Sequence, residues 1–196
     1  RLAGGGAVSF KVLVVPEAHT NNGAILEPLV SALLADAGKP RAQVKVLSKP
    51  RVQGYDAAKK ALRNELLDSW KWMNLWIFMP DADRAGDDAM AALETELADK
   101  GVTLLCCPAV PEVEIYAAAA YSAEIDVGWA AARAHSRFKE EIFEPLRQRH
   151  GDDRRPFGGR DLMIGESLRN LPRLYQLCPE LKQLRDRIAA VIDEEL

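Results

Sequence analysis

The sequence has few cysteines, no long apolar run and little net charge, and each shortage excludes a class of protein. Only three cysteines occur among 196 residues, and two of them, Cys106 and Cys107, are adjacent. This number and spacing suit neither a disulfide framework nor a zinc site, so we expect a reducing, cytoplasmic setting. No apolar run approaches the ~20 residues of a membrane span, and we expect no membrane contact.

The charge is also close to balanced. The formal net charge is -3, with 26 Lys and Arg against 29 Asp and Glu. The composition therefore gives no overall signature of nucleic-acid binding, although local patches or bound metal ions can still supply a positive field. Residues 1–7 lack a signal-peptide core, and we expect them to be a flexible lead-in or a cloning remnant.

Strand-like and helix-like segments alternate between residues 8 and 108. Four β-branched or apolar runs have the length of strands, and they cover residues 10–15, 43–48, 74–80 and 102–108. Helical spacing of apolar residues follows each of the first three, and Asn21, Asn22 and Gly23 are predicted to form a loop before the first helix. This alternation predicts the α/β class, with a mostly parallel sheet of about four strands flanked by helices.

The pattern changes to helical after about residue 115. We predict an α/β domain over residues 8–120 and a helical extension over residues 121–196 that packs on it. A polar loop, DDRRPFGGRD, interrupts the extension at residues 152–161. Three tryptophans flank the third strand, and core packing is favoured over base stacking for Trp70, Trp72 and Trp76.

Acidic residues follow three of the four predicted strands. Glu17 follows the first strand, Asp81 and Asp83 follow the third, and Glu112 and Glu114 come shortly after the fourth. Ligands of parallel α/β sheets bind at the carboxyl ends of the strands. Carboxylates that point at one place repel each other unless a cation lies between them, and oxygen ligands suit a hard divalent ion. The pattern therefore predicts a magnesium site.

Two further aspartates, Asp87 and Asp88, follow in the same segment. Gly86 lets the chain turn tightly before them, and acidic residues are favoured in the first turn of a helix. We expect these two to be the first turn of the next helix, with Asp87 a minor candidate for metal binding.

The segment DADRAGDDAM, residues 81–90, resembles the Asp-x-Asp-x-x-Gly motif of Toprim domains, the metal-binding catalytic module of DNA primases, topoisomerases and OLD-family nucleases. VLVVPE, residues 12–17, resembles the companion motif, a glutamate at the end of the first strand. The resemblance covers roughly residues 8–120 and implies a Toprim-like, Rossmann-like fold. Two departures occur, because Ala18 replaces the usual Gly after the glutamate, and an aromatic position that is usually Trp holds Tyr116.

Two further segments are similar to small, uncharacterised bacterial Toprim-like proteins that are often encoded beside an ATPase. They are PAVPEVEIYAA at residues 108–118 and GGRDLMIGESLRNLPRLYQLCPEL at residues 158–181. This second similarity extends towards the end of the chain, on less specific motifs.

The resemblance implies a metal-dependent nuclease. Asp81 and Asp83 would hold Mg²⁺ or Mn²⁺, and Glu17 would bind the metal or relay a proton. Glu112 and Glu114 are the candidates for a second ion, so one or two ions are expected. The substrate would be nucleic acid, with DNA favoured. The chain would act alone or as the nuclease subunit of an ATPase-containing, OLD-like system in phage defence or repair.

The alternative is a non-catalytic Toprim-like module that binds nucleotide or nucleic acid only within a partner complex. Homo-oligomer formation stays open. Candidate contacts to nucleic acid are His19, Arg84, Arg154, Arg155 and Arg160, although a solvated loop next to acids explains the last three as well.

Overall fold

The computed structural model describes residues 9–82 and 86–194, and it has an α/β fold. Four parallel strands form one sheet in the order β2-β1-β3-β4. They are β1 (Lys11–Pro16), β2 (Gln43–Val46), β3 (Leu75–Met79) and β4 (Leu104–Cys106). The predicted class and parallel sheet are confirmed, and the observed strand ends differ from the predicted ones by at most two residues.

The central strands are apolar throughout because both faces of the sheet are covered. In β1, Val12 and Val14 join one apolar cluster, while Leu13 and Val15 join the other. Such two-sided burial produces the continuous apolar runs typical of parallel strands. β1 and β3 therefore form a rigid centre, whose carboxyl ends lead into the acidic segments.

One face of the sheet is covered by α1 (His19–Asp36). The predicted loop at Asn21–Gly23 is wrong, since these residues lie inside α1. Asn22 is buried, so the packing of the helix on the sheet overrides the local preference of these residues for a turn.

The other face is covered by the helical run α2 (Tyr55–Lys60), a π-helical segment (Ala61–Glu65) and α3 (Leu66–Trp70), together with α4 (Asp87–Asp99). Asp87 and Asp88 form the first turn of α4, directly after Gly86. The prediction for these two aspartates is confirmed.

The remainder of the chain is helical. Its α-helices are α5 (Glu114–Ala118), α6 (Trp129–Arg133), α7 (Glu144–His150), α8 (Arg160–Leu168), α9 (Leu171–Leu177) and α10 (Pro179–Glu194). Their buried residues share one apolar cluster with α1 and the α1 side of the sheet, from Phe10 to Ile192. Among the described residues, no helix is both long and apolar enough to cross a membrane.

Side chains cover the outer edge of β4. The Cys106 N–H donates to Glu94 Oε1 at 2.6 Å, and Arg187 Nη1 donates to the Cys106 carbonyl at 3.2 Å. Arg187 Nη2 also donates to Glu94 Oε2 at 2.6 Å. α4 and α10 thus supply the partners that a fifth strand would otherwise provide at this position.

Candidate metal centre

Glu17 and Asp81 meet where two neighbouring strands end. β1 and β3 pair in register, with Pro16 opposite Met79, so the residues that follow emerge side by side. The backbone N–H of Asp81 donates to Glu17 Oε2 at 3.1 Å. The predicted shared site depended on β1 and β3 being neighbours, and the structure shows that they are.

The segment after β4 is fastened to the same place. Asp81 forms an isolated parallel bridge with Ala109. The Ala82 N–H lies 2.9 Å from the Ala109 carbonyl and 3.0 Å from the Pro111 carbonyl. The Val113 N–H donates to Asp81 Oδ1 at 3.2 Å. These bonds carry the chain from β4 past Asp81 and bring the next acidic residues to it.

Four carboxylates interact at this edge of the sheet. Burial, followed by the charges of Glu114 and Glu17, raises the pKa of Asp81 to about 7. Burial, followed by the charges of Glu114 and Asp81, raises the pKa of Glu112 to about 7. Such shifts require desolvated acids that sit close to each other. The four predicted carboxylates of the described chain thus form one electrostatic cluster.

Lys139 supplies a positive charge to the cluster from the helical extension. Its Nζ lies 2.7 Å from Glu114 Oε1, and the Glu114 side chain is only 1% exposed. The contact is an ion pair between an ammonium and a buried carboxylate. Burial lowers the pKa of Lys139, but Glu114 and Glu112 outweigh it and hold this pKa above its ordinary value.

Sequence analysis did not single out Lys139. It belongs to a π-helical segment, Lys139–Phe143, more than twenty residues away from the acidic motifs. No local pattern marks one lysine among the charged residues of a helical region, and only the packing of the extension on the sheet brings it to Glu114.

The donor set suits a hard cation, although the side chains are not gathered around one point. No group of three or more His, Cys, Asp or Glu side chains stands ready to hold a metal within residues 9–82 and 86–194. Asp83, a predicted ligand, lies outside the described residues. The clustered groups offer carboxylate oxygens, which Mg²⁺ prefers, and a cation would relieve the repulsion among these carboxylates.

A cavity of about 370 Å³ opens beside this edge, between α4 and α10. Its lining includes Ala82 and Asp87 from the acidic segment, and Glu94 and Arg187 from the side chains on the β4 edge. The cavity thus reaches the acidic segment at Ala82 and Asp87, but none of the four clustered carboxylates lines it.

The predicted contacts to nucleic acid have different surroundings. Arg84 lies outside the described residues, and of His19 only the backbone, at the start of α1, is described. The Arg154 side chain is 91% exposed and pairs with Asp152, while Arg155 pairs with Asp161. Pairs this exposed contribute little to stability, so both arginines can exchange an acid for a phosphate.

Arg160 does not suit a role in nucleic-acid binding. The residue is 7% exposed, its guanidinium lies 5.3 Å from the centroid of the Phe143 ring, and Nη1 donates to the Phe157 carbonyl at 2.9 Å. Through these contacts, the Arg160 side chain packs against other residues of the helical extension. We therefore remove Arg160 from the candidate contacts.

The three tryptophans also differ. Trp76 is fully buried, as predicted, but Trp72 is 58% exposed, so core packing is wrong for that residue. The adjacent residues Cys106 and Cys107 are both buried, and neither forms a disulfide.

No protein-family model matches the chain, and no curated protein or solved structure matches it.

Proposed function

We propose that the chain is a Mg²⁺-dependent phosphodiesterase of the Toprim class that cleaves or nicks nucleic acid, with DNA favoured. The observation that carries the proposal is the meeting of Glu17, Asp81, Glu112 and Glu114 at the ends of the strands, where burial, Glu114 and Glu17 raise the pKa of Asp81 to about 7. A fold gains nothing in stability from crowding acids at a strand end, whereas strongly perturbed pKa values are characteristic of functional sites. The Asp-x-Asp-x-x-Gly motif gives these acids a matching chemistry.

We assign each acidic residue a role in metal binding or proton transfer. Asp81 and Asp83 hold the ion, and Glu112 and Glu114 provide oxygens for a second one. Glu17 uses Oε2 to accept the Asp81 N–H, which leaves Oε1 for the metal or for the proton of an attacking water. When bound, the ion supplies neutralisation of phosphate charge and a more acidic water.

Nicking of supercoiled plasmid in Mg²⁺ or Mn²⁺ tests this function. Wild type is compared with Asp81→Asn and Asp83→Ala. Asp88→Asn is the matched control, because Asp88 belongs to the same segment but is exposed in the first turn of α4. We expect activity in wild type and the control and its loss in the other two. If all four proteins nick the plasmid at the same rate at every metal concentration, the proposal is wrong.

A second candidate is a non-catalytic module that binds nucleotide or nucleic acid within a partner complex. The observation in its favour is the ion pair of Glu114 with Lys139, in which an ammonium already balances an acid of the cluster. Oligonucleotide binding without cleavage, with every metal and with the partner added, would support this candidate.

The partner that we propose is an ATPase encoded nearby, and the setting that we propose is the cytoplasm, where buried free thiols stay reduced. Co-purification with the product of the neighbouring gene tests the partnership. Full nuclease activity of the isolated chain would show that no partner is needed.

A further inference from the structure

A row of tryptophans and lysines lies near the start of β1, at the opposite end of that strand from Glu17. Trp72 and Lys45 are exposed, whereas Lys11 and Trp70 are partly buried and Trp70 packs against the core. We call Lys45, Trp70, Trp72 and Lys11 the tryptophan ladder. Lys45 Nζ lies 5.6 Å from the Trp70 ring centroid, the Trp70 and Trp72 centroids are 6.1 Å apart, and Lys11 Nζ lies 4.8 Å from the Trp72 centroid. Two rings therefore lie at the centre of the row, with one cation at each end.

Backbone contacts hold the ladder in place. Trp72 Nε1 donates to the Ser69 carbonyl at 2.8 Å. The Trp70 carbonyl accepts from Nε1 of the buried Trp76 at 3.1 Å, which ties the row to the core. Trp72 is nevertheless 58% exposed, the largest exposed fraction among the large apolar side chains of the described chain. A fixed indole on the surface is a preformed stacking surface.

The lysines of the ladder keep their charge available. Within the described ranges, neither Lys11 nor Lys45 forms an ion pair with a carboxylate, and each ammonium contacts a ring instead. This patch has the charge that a polyanion requires, in a chain whose net charge is -3.

We propose that the tryptophan ladder is a binding site for single-stranded nucleic acid. A base stacks on Trp72, and the ammonium groups of Lys11 and Lys45 move from the rings to the flanking phosphates. Aromatic rings among lysines are the general solution for binding single strands, because every base has a face to stack and every linkage a charge. The site does not use the carboxylate cluster and does not depend on the proposed cleavage.

The distance from the ladder to the candidate metal centre allows one nucleic-acid strand to contact both. The six residues of β1 separate Lys11 from Glu17 by about 20 Å at ~3.3 Å per residue. A single strand of several nucleotides spans that distance, so one molecule can be anchored at the ladder while another part of it reaches the candidate metal centre.

The test is the binding of a fluorescently labelled oligothymidylate, followed by anisotropy in EDTA, so that neither metal nor cleavage contributes. Wild type is compared with Trp72→Ala, Trp72→Phe and the double variant Lys11→Gln/Lys45→Gln. We expect Trp72→Ala to weaken binding about tenfold and Trp72→Phe to weaken it less. The double variant should lower the slope of log K against log salt by about 1 to 2.

Lys39→Gln is the matched control. Its ammonium lies 5.7 Å from the Phe10 ring centroid, but that ring is buried and belongs to the other face of the sheet. This variant should bind as wild type does, and thermal unfolding should show that Trp72→Ala stays folded. The proposal is overturned if wild type does not bind the oligonucleotide, if it prefers duplex, or if the ladder variants bind with unchanged affinity and salt slope.

Discussion

The backbone N–H of Asp81 donates to Oε2 of Glu17 across 3.1 Å, so the ends of β1 and β3 are joined through a candidate catalytic side chain. The partner of Glu17 in this bond is a backbone group, whose position does not change when the Asp81 side chain is replaced. An amide variant of Glu17 therefore removes the charge but keeps the side chain in place. An amide variant of Asp81 likewise removes a charge without breaking this hydrogen bond.

We expect Glu17→Gln to abolish cleavage while the fold is kept. The amide oxygen can still accept the Asp81 N–H, but it neither carries charge nor takes up a proton. The rate of plasmid nicking should fall by at least about 100-fold, with thermal unfolding in EDTA close to that of wild type. Wild-type nicking by this variant would remove Glu17 from the proposed machinery.

We expect Asp81→Asn to stabilise the metal-free protein at pH 8 and not at pH 4. The folded pKa of about 7 lies above the ordinary 3.8, so the folded state holds the proton more tightly than the unfolded state does. The resulting stability is present below about pH 4 and is lost as pH rises through 7. The variant removes this loss. The difference between about 7 and 3.8 corresponds to about 4 kcal/mol, and solvent screening at this partly exposed group lowers it to about 2 kcal/mol, or roughly 4–8 °C in Tm.

Scanning calorimetry in EDTA across that pH range measures the effect. Asp88→Asn again serves as control and should not gain stability with pH, since it removes a favourable charge from the first turn of α4. A gain of the same size for Asp81→Asn at every pH would contradict the explanation by charge.

We expect Lys139→Met to destabilise the protein and Glu114→Gln to rescue it. Loss of the ammonium leaves the buried carboxylate of Glu114 without its partner at 2.7 Å. Breaking such a pair from one side costs about 2–3 kcal/mol once the partial exposure of the lysine is considered. Urea unfolding of the two single variants and the double variant completes a cycle, and additive effects would show that the pair is not coupled.

We expect Arg187→Ala to uncover the edge of β4. The variant loses the bond to the Cys106 carbonyl and the pair with Glu94, at a cost of about 1 kcal/mol. Size-exclusion chromatography at increasing protein concentration should then detect self-association, since an open strand edge can pair with another chain. Arg169→Ala, which breaks an exposed pair with Glu166, is the control and should stay as wild type.

The fold class and the acidic edge were predictable because each depends on local patterns in the sequence. Apolar runs of strand length mark β1 to β4, and Glu17 and Asp81 follow such runs directly. Their proximity needed only the pairing of β1 with β3, which neighbouring parallel strands with helical crossovers often adopt.

Other features depend on contacts between distant segments, which no local pattern encodes. Lys139 reaches Glu114 only because the extension packs across the end of the sheet, and Arg160 is buried for the same reason. The start of α1 was misplaced because burial of Asn22 outweighs the turn preference of its own residue type. Trp72 was expected in the core because tryptophan side chains usually pack there. Its position next to a strand did not reveal that its side chain faces solvent.

The adjacent thiols of Cys106 and Cys107 belong to different apolar layers, one on each face of the sheet. Burial raises the pKa of both thiols, which slows their reaction while they stay buried. A thiol reagent given in short pulses would therefore mark one sulfur when the α2–α4 side opens and its neighbour when the α1 side opens. The order in which these two consecutive thiols are labelled thus reports which of the two apolar layers opens first.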